Sequence, residues 1–351
     1  MTDMDEAKEK ADYFAFALIN YVDLLLEQVD EDGLFRANLL FTDIRVGAHV
    51  EHSNDVSVIT HTWLIKRLQQ AIEIAIHFDL KGADIIRWTD ERERMIKAFH
   101  NQLVINDEIP YAADVLFADG NRLEGKSQAA QLSAIDAGLF EFDHATKLLS
   151  AFFTAPVGKA PDTVTPWNNP TYLYRALKAL SDHGMGERAI AHLKWRMGPY
   201  LPGSLNNSTP KLLQGPFGGP LPEYFVRHED IDLAPNVINT AQPIDPSGSH
   251  GWGAVGMVWV HDSVLGVSWG KDGFEDQMLT IEPKYIGKEY FSGTVVTPLG
   301  EILIEKSGKT LSITLPTGAK AKVNGNCENC KKHGEYVFLE GAMMHKITLD
   351  Y

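Results

Sequence analysis

The hydrophobic period of this chain changes near residue 276, and that change constrains what it can fold into. Upstream, apolar residues recur at the three-and-four spacing of helices. Downstream they alternate in short runs punctuated by Gly and Pro. One layer type cannot serve both patterns. The expected fold is therefore mainly α followed by all-β, with a helical domain over 1–275 and a small antiparallel β-sandwich over 276–351. A length of 351 residues suits two domains, because single cores rarely grow past about 250–300 residues.

Eight helical stretches can be read upstream. Residues 11–29 are apolar on nearly every face, which predicts a helix buried on most sides. Asp55 is a candidate cap for a second helix running to about 79, with Val58, Trp63, Leu64, Leu68, Ile72 and Ile76 in register. Further helices are expected over 83–103, 126–138 (ending at Gly138 as a C′ glycine), 142–153, 169–183 and 186–197. The last follows Ser249. Paired helices of this kind can close into an (α/α) six-hairpin toroid. Closure takes about twelve helices and eight are read, so either further helices lie in the long loops or the chain begins partway around the ring. The intervening segments 30–54, 104–125, 154–168 and 198–248 are long and rich in Gly, Pro, Asn and aromatic residues, as functional loops often are. Downstream, strands are expected over 278–283, 289–296, 301–306, 310–315, 319–323, 335–339 and 344–349.

Charge narrows the partners. There are 32 Lys and Arg against 47 Asp and Glu, a net charge of −15, which repels nucleic acid and anionic lipid but leaves neutral ligands such as sugars unpenalised. No apolar run reaches the roughly 18 residues of a membrane span. The N-terminus is acidic where a signal peptide would be basic, so a cytoplasmic location is expected. Cys327 and Cys330 form a lone C-x-x-C, read as a turn carrying two thiols, with a metal or a disulfide as the competing reading. A structural zinc takes four ligands, and only His333 lies nearby, so no metal or cofactor is expected. The run Asp90–Arg94 reads as a solvated, ion-paired helix face.

Four segments carry candidate chemistry. Glu223 sits between prolines and aromatics in Gly219-Pro220-Leu221-Pro222-Glu223-Tyr224-Phe225, where a proline-fixed backbone pre-orients a carboxyl and flanking apolar rings can exclude water and raise a carboxyl pKa. Glu229, Asp230 and Asp232 follow closely and compete for the same role. Ser249-His250-Gly251-Trp252 opens the last helix and offers a hydrogen-bonding group beside an aromatic face, a pairing that suits sugars. Trp167 precedes the 169–183 helix. Asp43 and Arg45 follow an apolar run and form either a local ion pair or a polar wall. Each segment also has a bland reading as packing, capping or solvated surface. There is no phosphate-binding glycine fingerprint, no G-x-S-x-G and no H-E-x-x-H.

Together these residues resemble the C-terminal half of the bacterial α-L-rhamnosidases, inverting glycoside hydrolases. Ser249 to Val255 is similar to the family's S-x-H-x-W/G-x-G-A/S segment, and Thr294 to Ile302 to its TP-x-G-x-I signature. Trp195-Arg196-Met197-Gly198 with the Gly-rich approach to Glu223 is similar to W-G-x-M…G-A-T-T-x-W-E. Thr165-Pro166 through Leu180 is similar to its TP…L-x-A-L helix. The resemblance implies a six-hairpin barrel with a β-sandwich, Glu223 as general base, and His250, Trp252, Asp43, Trp167 and Arg45 around the sugar. It departs from the family at Ile44, where a Trp is usual, and at Leu221-Pro222. Residues 1–42 hold no motif like the family's general-acid segment. Two further readings follow: a carbohydrate-binding relative without turnover, and an interaction module whose open ring edge docks on another copy or on a companion subunit.

Overall fold

The structure, a computed structural model, describes residues 3–36, 54–123, 125–154, 171–197, 254–269, 278–284, 287, 289–325, 327, 331–333, 336–341 and 344–349. Among these are eight α-helices and several small sheets, a mixed α plus β protein. The chain divides into two compact units, Met1–Asn169 and Pro170–Tyr351. The period change at 276 lies inside the second.

In the first unit, helices α1 (Asp3–Leu26), α2 (Val58–His77) and α3 (Ile85–Ala98) are followed by α4 (Gln128–Asp136) and α5 (Phe142–Phe152). Of the α2 positions read from spacing, Val58, Leu64, Leu68 and Ile72 are buried, Trp63 is half-buried and Ile76 stands exposed. Asp55 does not cap it. The N-cap is Ser57, and Asp55 instead accepts the Ala118 amide at 2.9 Å. Helix α3 starts at Asp84, whose carboxylate accepts the Arg87 amide, and it relaxes into a π-turn over Phe99–Leu103. Gly138 ends α4 at φ +69, as expected of a C′ glycine. The segment over 104–125 is not a plain loop. It holds four two-residue strands, β2 (Val104–Ile105), β3 (Tyr111–Ala112), β4 (Val115–Leu116) and β5 (Arg122–Leu123), and β4 also pairs with β1 (Val56–Ser57).

One expectation fails here and another holds only in part, both for tertiary reasons. Among the described side chains of α1, Val22, Leu25 and Leu26 are buried on one side, while Tyr13, Phe16 and Leu24 stand exposed. The charged run on α3 is not simply solvated. Arg94 ion-pairs with Glu91 at 2.6 Å and donates to the Asp30 and Glu31 carbonyls, clamping the turn that follows α1. Gly33 in that turn sits at φ +82, and a Cβ there would lie 2.9 Å from the Arg94 carbonyl oxygen, so the clamp requires glycine.

In the second unit, α6 (Thr171–Asp182) and α7 (Gly186–Met197) form a hairpin through Gly184 at φ +73. A short helix α8 (Val255–Trp259) packs on α6 and continues as a π-turn over Val260–Val264. Sheet structure then starts at β6 (Val267–Trp269), upstream of the expected boundary. One sheet has five strands in the order β12-β13-β11-β7-β6, with β7 (Met278–Ile281), β11 (Lys320–Asn324), β12 (Lys331–His333) and β13 (Tyr336–Glu340). The other has four in the order β14-β10-β9-β8, with β8 (Tyr290–Thr297), β9 (Gly300–Ser307), β10 (Thr310–Thr314) and β14 (Met344–Thr348). Strands β11 and β7 pair parallel, against the all-antiparallel expectation.

Alternate residues of both sheets enter one apolar cluster, including Leu279, Ile281, Ile302, Ile304, Leu311, Ile313, Val323, Val337 and Ile347. Fully burying each such side chain contributes roughly 1.5–3 kcal/mol. Lys306 is also buried on β9, its Nζ 5.9 Å from the centre of the Phe291 ring. Cys327 packs against this cluster and is disulfide-bonded. The sequence holds one other cysteine, Cys330, so the two-thiol reading gives way to the disulfide.

Candidate active site

The residues singled out from sequence, Glu223, Glu229, Asp230, Asp232, His250, Trp252, Trp167, Asp43 and Arg45, all lie outside the described residues. What the structure fixes is the framework into which their segments run. The segment over 198–253, which carries Glu223, His250 and Trp252, leaves the end of α7 and returns at the start of α8. Those two ends are held together. A Cβ added to Gly256 would lie 3.1 Å from Leu193 Cδ1, 3.6 Å from Leu173 Cδ2 and 3.9 Å from Met197 Cγ. The first residues of α8 therefore rest on the start of α6 and the last turn of α7.

Two hydrogen bonds pin α8 and its π-turn from below. Trp259, fully buried, donates its indole N–H to Ser181 Oγ at 3.0 Å, and Ser181 donates on to the Leu177 carbonyl at 2.7 Å. Tyr174 donates its hydroxyl to Asp262 at 3.0 Å. Both ends of the segment over 198–253 are thus mounted on the packed helices α6, α7 and α8. Among the described residues no group of three His, Cys, Asp or Glu is placed to hold a metal ion.

The first unit contains a second set of buried polar groups, none of which sequence reasoning singled out. His61 is fully buried on α2. Its Nδ1 accepts the Phe35 amide at 3.3 Å, so its Nε2 carries the proton donated to the Met95 carbonyl at 3.1 Å. Burial lowers its pKa from 6.5 to about 4, outweighing the Met95 bond and the Asp30 charge, so the ring is neutral at physiological pH. Asp114, 1% exposed, accepts both the Ser127 hydroxyl, at 2.5 Å, and the Ser127 amide, at 3.3 Å. Burial nevertheless lifts its pKa from 3.8 to about 6. Ser127 in turn caps α4 by accepting the Ala130 amide, and Gln131 brackets Ala112 by exchanging hydrogen bonds with both its amide and its carbonyl. These contacts tie side chains to backbone, except the side-chain pair Ser127–Asp114. Both nitrogens of His61 are occupied, so this cluster is scaffold and not a proton-transfer centre.

No family model matches the sequence, and no curated protein matches it. Solved structures do. A GH78 family rhamnosidase of Bacillus sp. GL1 aligns over 84% of this chain at 17% identity with a TM-score of 0.61. A native α-L-rhamnosidase from Aspergillus terreus aligns over 82% at 16% identity with a TM-score of 0.50. The chain spans 28% of the first structure and 30% of the second. At this identity the likeness is one of fold, and the fold shared across most of this chain is found in rhamnosidases.

Proposed function

We propose that this chain is a glycoside hydrolase of α-L-rhamnosidase type, acting on a terminal α-L-rhamnoside or a similar neutral sugar by inverting acid/base catalysis. The observation that carries the reading is the fold likeness to a rhamnosidase over 84% of the chain, which coincides with the independent sequence resemblance at four motifs. The closely held loop ends beside Gly256 support it, because the segment between them bears Glu223 and His250. In this reading the helices belong to a six-hairpin toroid, the two sheets from β6 onward form a sandwich, and the protein works in the cytoplasm without cofactor or nucleic acid.

Glu223 serves as general base, taking a proton from the attacking water. An inverting reaction sets its acid and base carboxyls about 6.5–9.5 Å apart, so that water fits between base and sugar. No general acid is assigned. His250 hydrogen-bonds the sugar, Trp252 and Trp167 supply apolar faces for its C–H groups, and Asp43 with Arg45 meets its hydroxyls. The test is hydrolysis of an aryl α-L-rhamnoside by the purified chain and by E223Q. Turnover by the wild type, with a loss of at least a hundredfold in E223Q, supports the assignment. Equal rates in the two would refute the role of Glu223.

A second reading is a carbohydrate-binding relative without turnover, because residues 1–42 hold no motif like the family's general-acid segment. Saturable rhamnose binding by calorimetry, with no hydrolysis, selects it.

A further inference from the structure

Helix α1 exposes an apolar face that an isolated monomer would not be expected to leave in water. Residues 13–22 contain no charge at all. Val22, Leu25 and Leu26 turn one side of the helix inward, yet on the other side Tyr13 is 74% exposed, Phe16 67%, Phe14 54% and Tyr21 48%. On helical spacing, Tyr13, Phe16, Tyr21 and Leu24 share the solvent side. Beside them lies a groove of about 770 Å³ between α1 and the turn over 78–82, rimmed by Phe14, Phe16 and a 61% exposed Phe78.

The area decides what this surface requires. Aromatic side chains present about 150–250 Å² each, so these five half-exposed rings leave on the order of 600 Å² of aromatic surface in water. That is the upper limit of patches on ordinary monomers, about 300–600 Å². It is also most of the roughly 800 Å² per partner that a standard stable interface buries.

We infer that α1 and its groove form the contact between two copies of this chain, packed about a two-fold axis. The surface is self-complementary, because one face carries both projecting rings (Tyr13, Phe16) and a groove to receive them. A two-fold contact uses the same patch twice and closes, so it yields a dimer and not a filament. An anionic lipid surface is the poorer occupant, since the chain carries a net charge of −15. The same charge acts between copies. Repulsion opposes association at low salt, so the dimer tightens as salt rises, opposite to an interface built on ion pairs.

This inference is independent of the sugar reading and is tested without any substrate. Sedimentation velocity on the full chain at tens of micromolar, at low and high sodium chloride, reads the mass directly. The expected result is a species of twice the 39.0 kDa chain mass, favoured by salt. Phe16→Glu and Tyr13→Glu each weaken the association roughly tenfold or more, with circular dichroism unchanged because both side chains are mostly exposed. Tyr290→Glu, on an exposed residue of β8, leaves the mass unaltered. A wild type that stays at 39.0 kDa in both salts would overturn the inference, as would a dimer that survives both α1 substitutions or weakens with salt.

Discussion

Two buried titratable groups of the first unit, Asp114 and His61, push stability in opposite directions over the same pH range, and this can be measured. Asp114 has a folded-state pKa of about 6, above its ordinary 3.8. The folded state therefore holds its proton more tightly than the unfolded chain does. Its contribution is most favourable below pH 4 and is lost as pH climbs towards 6. His61 runs the other way. Its folded-state pKa of about 4 lies below the ordinary 6.5, so the unfolded chain binds the proton more tightly, and stability rises with pH between about 4 and 6.5. At about 1.4 kcal/mol per pH unit, each contribution is worth about 3 kcal/mol across its window. Between pH 4 and 6 the two nearly cancel in the wild type.

Single substitutions should uncouple them. Asp114→Asn removes one titration while its Oδ1 can still accept from Ser127. Relative to wild type, this variant should gain about 3 kcal/mol in stability between pH 4 and pH 6. His61→Gln keeps an acceptor and a donor for Phe35 and Met95 but cannot titrate, so it should lose a similar amount, about 3 kcal/mol, over the same range. Urea unfolding at half-unit pH steps, followed by far-ultraviolet circular dichroism, gives the difference curves. Taking differences cancels the common titration of the other acidic residues. Curves for wild type and both variants that run parallel to within about 0.5 kcal/mol would refute the burial argument for both groups.

Two further substitutions probe the second unit. Replacing Cys327 with Ser opens a disulfide whose ring spans only a few residues. The chain-entropy relation then puts the loss near 2 kcal/mol, and dithiothreitol added to the wild type should lower the melting temperature similarly. Gly266 sits at φ +70 where the chain enters β6, and a Cβ there would lie 2.2 Å from Pro283 N and 2.3 Å from the Glu282 carbonyl carbon. Gly266→Ala should therefore cost more than about 3 kcal/mol, read as a fall in the melting temperature of the β-rich part.

Patterns that repeat were legible in the sequence. The strand expected over 310–315 is β10 at Thr310–Thr314, and that over 319–323 is β11 at Lys320–Asn324, because several alternations fix both the type and the facing of a strand. The two-residue strands β1 to β5 have no period to detect, so the segment over 104–125 read as loop. Asp55 and Ser57 are both good caps by residue type, and only the fold decided that Asp55 would serve Ala118 instead. Helix α1 is the instructive failure. Its apolar character was read correctly, but periodicity reports what a face needs and not whether anything in the chain supplies it.

The candidate site was legible only as motifs, and where the structure describes the segment that follows Ser249 it finds scaffold. Gly256 and Trp259 are scaffold: the glycine lets α8 approach Leu173, Leu193 and Met197, and the indole anchors to Ser181. Sequence reading ranked the segment as a unit, because a glycine for close approach and a glycine for loop freedom look identical in one dimension. The buried acid Asp114 and the buried base His61 mark the converse limit. Both have the strongly displaced pKa values associated with catalytic groups, yet their hydrogen bonds end on Ser127, Phe35 and Met95 in the interior. A displaced pKa marks burial first, and it becomes a reason to suspect catalysis only where a substrate can reach the group.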